Sequence, residues 1–496
     1  MQLTPALRDL YEDTHPFIVV QKGAQVGITE WMISGALWVA DTGQGERGNS
    51  LYVMPTESLT RDLAAARVNR AIDESAYLTR RVREESQSRR VTDRLDLKAL
   101  GEGYVHFKGS ESHRQITSIG ADAVFLDEFD LMDAGVLPLA LQRIGSSRLG
   151  WIRIASTPRY PELGINRLYL EGDRRKYHLP CPRCGKLQKL DWPASIDFER
   201  MMLVCQHPSC RTPMDVWAEG RWIPEAPSNT RIRSYQLSRL YSPMANIERI
   251  VLEADATSLY EEQQFQNQVL GEIFVPKGGG LTLSDLDACR TDYQMSEYSG
   301  QACFMGVDIG GKIHNVVIRE RTPHPKESSG RLWYAGEVSE PHELAQKMKE
   351  FNVVSCVIDG EPQGFLATLV YRECPGRVSL AYYTRHQPGH ETSPARDNLP
   401  PALHINRTDA LDELTFRFKS GAMPLPHNSR TIGRQDRSGM GDYYRHLLSI
   451  MRTMEEDSNG NWKAKWIHSG PDHYAHAENY CMLAGTQYQD HRIYAA

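Results

Sequence analysis

Three apolar runs in the N-terminal part of the chain each end on a chemically distinctive segment, and their order restricts the fold more than any other feature. Phe17-Ile-Val-Val20 is a short β-rich run that breaks at Gln21-Lys22-Gly23. Gly23-Ala-Gln-Val-Gly27-Ile-Thr29-Glu30 follows, then a helical pattern through Trp38. Strand, glycine loop and helix form the setting of a phosphate-binding loop, whose amides converge on phosphate while the new helix adds its positive end. Thr29 stands where a hydroxyl would hold magnesium. The lysine expected just before it is replaced by Ile28, and Lys22, at the front of the loop, is placed to reach the phosphates from the other side. Taken alone, the loop fits an ordinary glycine turn equally well.

The later runs decide between those readings. Ala123-Val-Phe-Leu126 is a buried-strand pattern ending in Asp127-Glu128, the arrangement in which one carboxylate holds the magnesium shell and the next polarises the attacking water. Trp151-Ile-Arg-Ile-Ala155 ends in Ser156-Thr157-Pro158, small hydroxyl residues placed to sense a γ-phosphate. Loop, acid pair and Ser-Thr-Pro in this order predict a P-loop ATPase core with ATP and Mg2+ as cofactors. Lys22, Gly23, Gly27, Thr29, Asp127 and Thr157 are the expected binding residues, and Glu128 the expected catalytic one.

Cys181-Pro-Arg-Cys184-Gly185 and Cys205-Gln-His-Pro-Ser-Cys210 predict a structural zinc knuckle. Paired thiolates curl toward one tetrahedral Zn2+, and the glycine eases the turn. The second pair is looser, His207 could replace one thiolate, and a reduced cluster without metal is the alternative. Cys289, Cys303, Cys356, Cys374 and Cys481 read as buried small hydrophobes, and the whole set suits a reducing cytosol.

From Ala302 the pattern turns strand-like again. Cys303-Phe-Met-Gly-Val307 leads into Asp308-Ile-Gly310-Gly311, a second strand follows at Asn315–Ile318, and Val353–Ile358 ends in Asp359-Gly360. Asp472-His473-Tyr-Ala-His476-Ala-Glu478 opens a late helix, with Asp472 and His476 on one face. Three carboxylates placed this way can converge on two hard cations about 4 Å apart that activate water against a phosphodiester. Each aspartate taken singly reads as a cap. Asp308-Ile-Gly-Gly also resembles the first phosphate loop of actin-like sugar kinases, but Asp359-Gly360 makes a poor second loop and no adenosine motif follows.

The order of Lys22 to Thr29, Asp127-Glu128, Ser156-Thr157-Pro158 and the cysteine knuckle resembles the large terminase subunit of tailed bacteriophages, closest to the lambda-type (GpA-like) branch, where the loop lysine is likewise displaced to the front. Gly109-Ser110, His113-Arg114, Ile119–Asp122, Phe265–Glu272 and His404–Asp412 are similar to that branch as well. The resemblance implies a ribonuclease H-like nuclease with Asp308, Asp359 and Asp472 as Mg2+ or Mn2+ ligands and catalytic groups, helped by His476 and His473. It implies double-stranded DNA, a portal and procapsid, and the terminase small subunit as partners, a homo-oligomer when active, and the cytoplasm of an infected bacterium as the location, not the mature virion. Gln25 departs from the arginine usual at that loop position, which points to Arg114 as the substitute. Only 21 residues precede Lys22, leaving little room for the segment that contacts the small subunit.

The expected fold is therefore α/β and multidomain: a P-loop ATPase core with an inserted zinc ribbon, followed by a ribonuclease H-like nuclease. The expected boundaries are 1–178 for the ATPase core, 179–222 for the ribbon, covered by Trp192, Trp217 and Trp222, and 223–280 for a mostly helical ATPase subdomain. A hinge at Pro276–Gly280, an acidic linker over 281–300, the nuclease over 301–485 with a mobile loop at Gly389–Pro401, and a tail over 486–496 complete the division. Composition fits this scheme. At 40% hydrophobic and 24% charged the 496 residues are not a disordered chain, and no run is long and apolar enough for a membrane span. The net charge of -6 argues against a nucleic-acid protein, yet Arg143 to Lys189 carries a strong basic excess able to track a phosphate backbone. Two other readings remain: a cellular helicase-nuclease of repair, which needs helicase motifs not found here, and a catalytically silent DNA-binding scaffold of a decayed prophage.

Overall fold

In the computed structural model the described residues are 3–494, apart from 90–93, 134, 257, 275–278, 362–363, 385–389, 394–398, 437 and 457–461. The chain divides into two compact units, Met1–Val275 and Pro276–Ala496.

The first unit contains strands β1 (Phe17–Lys22), β2 (Ser50–Met54), β3 (Leu97–Leu100), β4 (Gly103–Gly109), β5 (Ala123–Asp127), β6 (Trp151–Ser156), β7 (Arg175–Pro180), β8 (Leu187–Gln188), β9 (Ile196–Asp197), β10 (Met202–Leu203), β11 (Arg221–Pro224) and β12 (Arg233–Leu237). Its main sheet runs β11-β7-β12-β1-β6-β5-β2-β4-β3, parallel except for β3 and β11 at its two ends. Both β2 and β5 are buried along their whole length, as the unbroken apolar runs of a two-side-covered parallel sheet require. Helix Ile28–Thr42 covers the sheet with Trp31, Met32, Ile33, Ala36 and Leu37. Because β1, β5 and β6 are parallel neighbours, Lys22, Asp127 and Ser156 emerge at one edge, where ligands of open α/β sheets sit.

Two expectations for this unit need correction. The 223–280 stretch is not simply helical, since β12 lies inside the ATPase sheet between β1 and β7. The cysteine segment is thus an excursion between β7 and β11, both strands of that same sheet. The three tryptophans do not share one knuckle core either. Trp192 packs edge-on against Phe265 and Phe198, Trp222 against Tyr177 and Tyr235, and Trp217 is exposed.

The second unit contains β13 (Cys303–Ile309), β14 (His314–Glu320), β15 (Leu332–Val338), β16 (Val353–Asp359), β17 (Val378–Thr384), β18 (His390–Ser393), β19 (Ala402–Asn406) and a hairpin of β20 (Ile450–Glu456) with β21 (Trp462–His468). Its main sheet has the order β15-β14-β13-β16-β17-β19-β18. An antiparallel meander, β15-β14-β13, continues into parallel β16, β17 and β19. The final helix, His473–Tyr494, crosses β13 so closely that a Cβ on Gly306 would lie 2.1 Å from the Ala477 carbonyl. Glycine is required there.

Here too the expected boundaries shift. The 281–300 stretch is no free linker: Leu281, Leu286, Cys289 and Tyr293 are buried in this unit, and Thr282 and Asp285 cap helix Leu283–Ala288 reciprocally. The expected tail continues the final helix to Tyr494. The Gly389–Pro401 loop includes strand β18, paired with β19, while 389 and 394–398 fall outside the described residues, as do 276–278 of the hinge.

One buried ion pair holds this unit together. Arg319 on β14 donates from Nε (2.7 Å) and Nη2 (2.9 Å) to Glu478 of the final helix, Tyr443 donates to the same carboxylate, and both charged groups are essentially inaccessible. The pair holds the Arg319 pKa above its usual value although burial opposes this. Removing one partner strands a buried charge, so Glu478→Leu is expected to destabilise the unit by about 3–5 kcal/mol. Denaturant unfolding of the variant measures this; an unchanged midpoint would contradict it.

Candidate active sites and the cysteine knuckle

The phosphate-loop cleft is built on the strand edge just described. Gly27 has φ 85° and opens helix Ile28–Thr42, and Gly23 approaches the Val269 carbonyl so closely that a Cβ would lie 2.7 Å from it. The cleft has a volume of about 330 Å³, and Lys22, Gly27, Thr29, Glu128 and Thr157 line it together with Arg67. The first five are the residues expected from the sequence at one site, and the structure brings them together.

The acid pair has a defined geometry. Lys22 is buried at the end of β1, and its Nζ lies 2.7 Å from Glu128 Oε1. Asp127 is fully buried and accepts from the Tyr52 hydroxyl at 2.8 Å and from the Thr29 side chain. Burial pushes its carboxyl up, with Lys22 opposing. Glu128 has φ 58°, the left-handed region that a non-glycine residue occupies only under local constraint, and its carboxylate meets Lys22. Behind it, Asp130 accepts from the amides of Arg159 (3.0 Å) and Ile165 (2.6 Å), while its own amide donates to Ser156 Oγ. Burial raises the Asp130 pKa to about 6. These bonds tie the acid pair to the Ser-Thr-Pro segment.

Two residues of this site carry no signature in the sequence. Tyr52 is one more residue of the fully buried strand β2. Arg67 reaches the cleft from a single π-helical turn, Ala64–Val68, which no periodicity announces. Arg114, the expected substitute for the loop arginine, is instead exposed on helix His113–Thr117 and does not line the cleft, whereas Arg67 does.

In the second unit Asp308 lies on β13, Asp359 ends the parallel neighbour β16, and Asp472 immediately precedes the final helix. Asp308 Oδ2 is 2.8 Å from His473 Nδ1, which raises that histidine's pKa. His476 Nε2 is 3.0 Å from Asp472 Oδ2, and His476 Nδ1 is 2.8 Å from the Tyr383 hydroxyl. Burial and the charge of Asp308 push Asp359 up to about 6. Asp472 goes the other way: against its burial, the hydrogen bond and charge of His476, with His468 and Arg407, hold it near 2. Arg407, at the start of helix Arg407–Lys419, places Nη2 3.7 Å from Asp472 and 3.4 Å from His476. Its approach to the carboxylates was not legible in the sequence. Nor was the role of Tyr383, which bridges His476 and Asn479 from an ordinary strand position.

The four cysteines converge. Cys181, Cys184, Cys205 and Cys210 place their Sγ atoms within 4.8 Å of one another, with Cys181–Cys210 at 3.7 Å and Cys184–Cys205 at 3.8 Å. A tetrahedron with metal–sulfur bonds of about 2.3 Å has edges of about 3.8 Å. His207 bonds Ser209 instead of joining the cluster. Among the described residues this is the only group of three or more such ligands drawn so close; the three aspartates stand farther apart.

The basic stretch does not form one surface. Arg153 is buried, Arg175 pairs with Asp173 (2.6 Å), Arg167 pairs with Glu171 (3.6 Å), and Arg143 donates to the Thr117 carbonyl. Arg183 and Lys186 do stand exposed on the first cysteine turn.

Fold and sites together define a two-unit protein: a P-loop ATPase core carrying an inserted cysteine ribbon, followed by a unit with a ribonuclease H-like sheet. Residues 2–222 match the family model described as phage terminase large subunit gpA, ATPase domain. No curated protein sequence matches the chain. Among solved structures, the large terminase of bacteriophage HK97 superposes with TM-score 0.54 at 10% identity, covering 97% of this chain and 95% of that one, a likeness of fold. The large terminase of a thermophilic bacteriophage gives TM-score 0.32 at 12% identity, covering 96% and 94%. The large terminase ATPase domain of Thermus phage P74-26 gives 0.35 at 15%, covering 55% and 94%.

Proposed function

We propose that the chain is the motor subunit of a viral DNA-packaging machine, coupling ATP hydrolysis in its first unit to translocation of double-stranded DNA and cutting DNA with its second. The observation that carries this reading is the presence in one chain of a gpA-type ATPase domain and a carboxylate site on a ribonuclease H-like sheet.

Thr29 and Asp127 offer the hydroxyl and carboxylate that suit magnesium, which when bound screens phosphate charge and orients the γ-phosphoryl group. Lys22 changes partner in this scheme. The β- and γ-phosphate oxygens draw its ammonium from Glu128, and the freed carboxylate orients water in line with the γ-phosphate. Thr157 faces the same cleft, and the Asp130–Ser156 contact carries loss of that phosphate toward 159–165. Arg67 supplies the positive charge that Gln25 lacks.

In the second unit Asp308, Asp359 and Asp472 would supply, once drawn together, an all-oxygen donor set suited to magnesium or manganese, which would activate water and steady the leaving oxygen. Tyr383 fixes the orientation of His476, and Arg407 is placed to bind a DNA phosphate. Exposed Arg183 and Lys186 extend a DNA-contacting surface on the ribbon. A portal-bearing procapsid, further copies of the chain and a small subunit are the partners this function requires, and the cytoplasm of the infected bacterium is where it operates.

Linear double-stranded DNA should stimulate ATP hydrolysis by the purified chain; a rate indifferent to DNA counts against the motor. For the ribbon, we expect one zinc per chain in gently purified protein and none in Cys205→Ser, measured by atomic emission. Wild-type protein free of zinc would remove the metal from this account.

A further inference from the structure

The first unit contains another cleft, of about 410 Å³, which no step above uses. Trp38, Phe125 and Trp151 form its apolar wall, and Asp13, Ser34 and Arg153 supply polar groups. It lies away from the phosphate loop. Trp38 sits about 16 Å along the helix axis from Gly27, at 1.5 Å per residue, and Trp151 and Arg153 belong to the start of β6, whose far end carries Ser156.

Two observations point to a ligand. Trp38 and Trp151 are stacked, with ring centroids 5.3 Å apart and planes 18° from parallel, yet Trp38 keeps 45% of its surface exposed. Behind them Arg153 is only 2% exposed, with its guanidinium carbon 4.2 Å from the Trp151 ring centroid. Its Nη1 donates to the carbonyls of His15 (2.8 Å), Pro16 (3.1 Å) and Ile152 (3.0 Å). Its Nη2 is buried and has no hydrogen-bond partner among the described residues. Buried guanidinium N–H groups without an acceptor are rare and costly, so a guest carrying one is favoured there. Gly35 keeps the wall flat, since a Cβ on it would stand 3.1 Å from the Phe125 ring.

We propose that this cleft is a second, non-hydrolytic site that takes a free purine nucleoside or nucleotide, its base stacking on Trp38 and accepting hydrogen bonds from Arg153 Nη2 at N7 and, in guanine, O6. The wall chemistry selects this class. A purely apolar guest leaves Nη2 unpaired, and a bare anion meets indole faces and the Asp13 carboxylate. A purine offers a flat face for the indole and acceptors on its edge.

The test titrates guanosine into the full chain with magnesium tripolyphosphate present, which fills the phosphate loop without offering a base. Tryptophan quenching and equilibrium dialysis should both report binding with Kd below about 1 mM. Trp38→Ala, a change at a half-exposed position, should weaken binding at least about tenfold while thermal unfolding and ATP hydrolysis stay unchanged. Arg153→Lys, which removes Nη2, should weaken it as well. Absence of guanosine binding, equal binding by Trp38→Ala, or displacement of guanosine by tripolyphosphate overturns the proposal.

Discussion

Glu128→Gln is expected to lower the rate of ATP hydrolysis by about 10³-fold, the scale of losing a positioned general base, while leaving ATP binding intact. The substitution is nearly isosteric. Its amide oxygen can still accept from Lys22 Nζ, now 2.7 Å from the carboxylate, so the cleft keeps its shape. What is lost is the negative charge that orients and polarises water once the phosphates take Lys22. Steady-state turnover with linear DNA and magnesium measures the loss, and fluorescent-nucleotide binding checks that the cleft persists. Turnover near the wild-type rate would remove Glu128 from the catalytic role and leave Asp127 without its partner.

Asp359→Ala should abolish DNA cutting, by about 10³-fold or more in rate, on the scale expected when a ligand that fixes a catalytic ion is lost. ATP hydrolysis should continue at the wild-type rate. The separation follows from the chain's own division: Asp359 ends β16 in the second unit, whereas every residue of the phosphate-loop cleft lies in the first. Linearisation of supercoiled plasmid measures the first effect and phosphate release the second. Loss of both activities would mean that the second unit does not act as an independent nuclease, and retained cutting would move the metal site off β16.

These predictions rest largely on residues that could be read from the chain, and the reason is physical. Strand ends at a parallel sheet's edge leave compact signatures, because apolar runs must be buried and the following residues must turn. Lys22, Asp127 and Ser156 therefore announced themselves, as did Asp308 and Asp359. The paired cysteines did so through spacing alone. What stayed hidden depends on contacts distant in sequence. β12 pairs with β1 across more than two hundred residues, and nothing local in Arg233–Leu237 states which strand it will meet. The acidic 281–300 stretch looks like a linker because four acids stand there against one arginine, yet Leu286 and Tyr293 suffice to anchor it. Arg67 enters its cleft through a π-helical turn, and Tyr52 and Tyr383 act through single hydroxyls within strands chosen for packing. The basic excess between Arg143 and Lys189 misled for a related reason, since charge counted along a chain ignores that Arg153 is buried and several neighbours are already paired.

ATP hydrolysis at Glu128 should move DNA into a shell. A nuclease-protection assay with portal-bearing procapsids, precut linear DNA, magnesium and ATP tests it most directly. DNA should become protected with the wild-type chain and with Asp359→Ala, and remain exposed with Glu128→Gln. Protection by Glu128→Gln, or none with the wild-type chain while it hydrolyses ATP on the same DNA, would contradict the account.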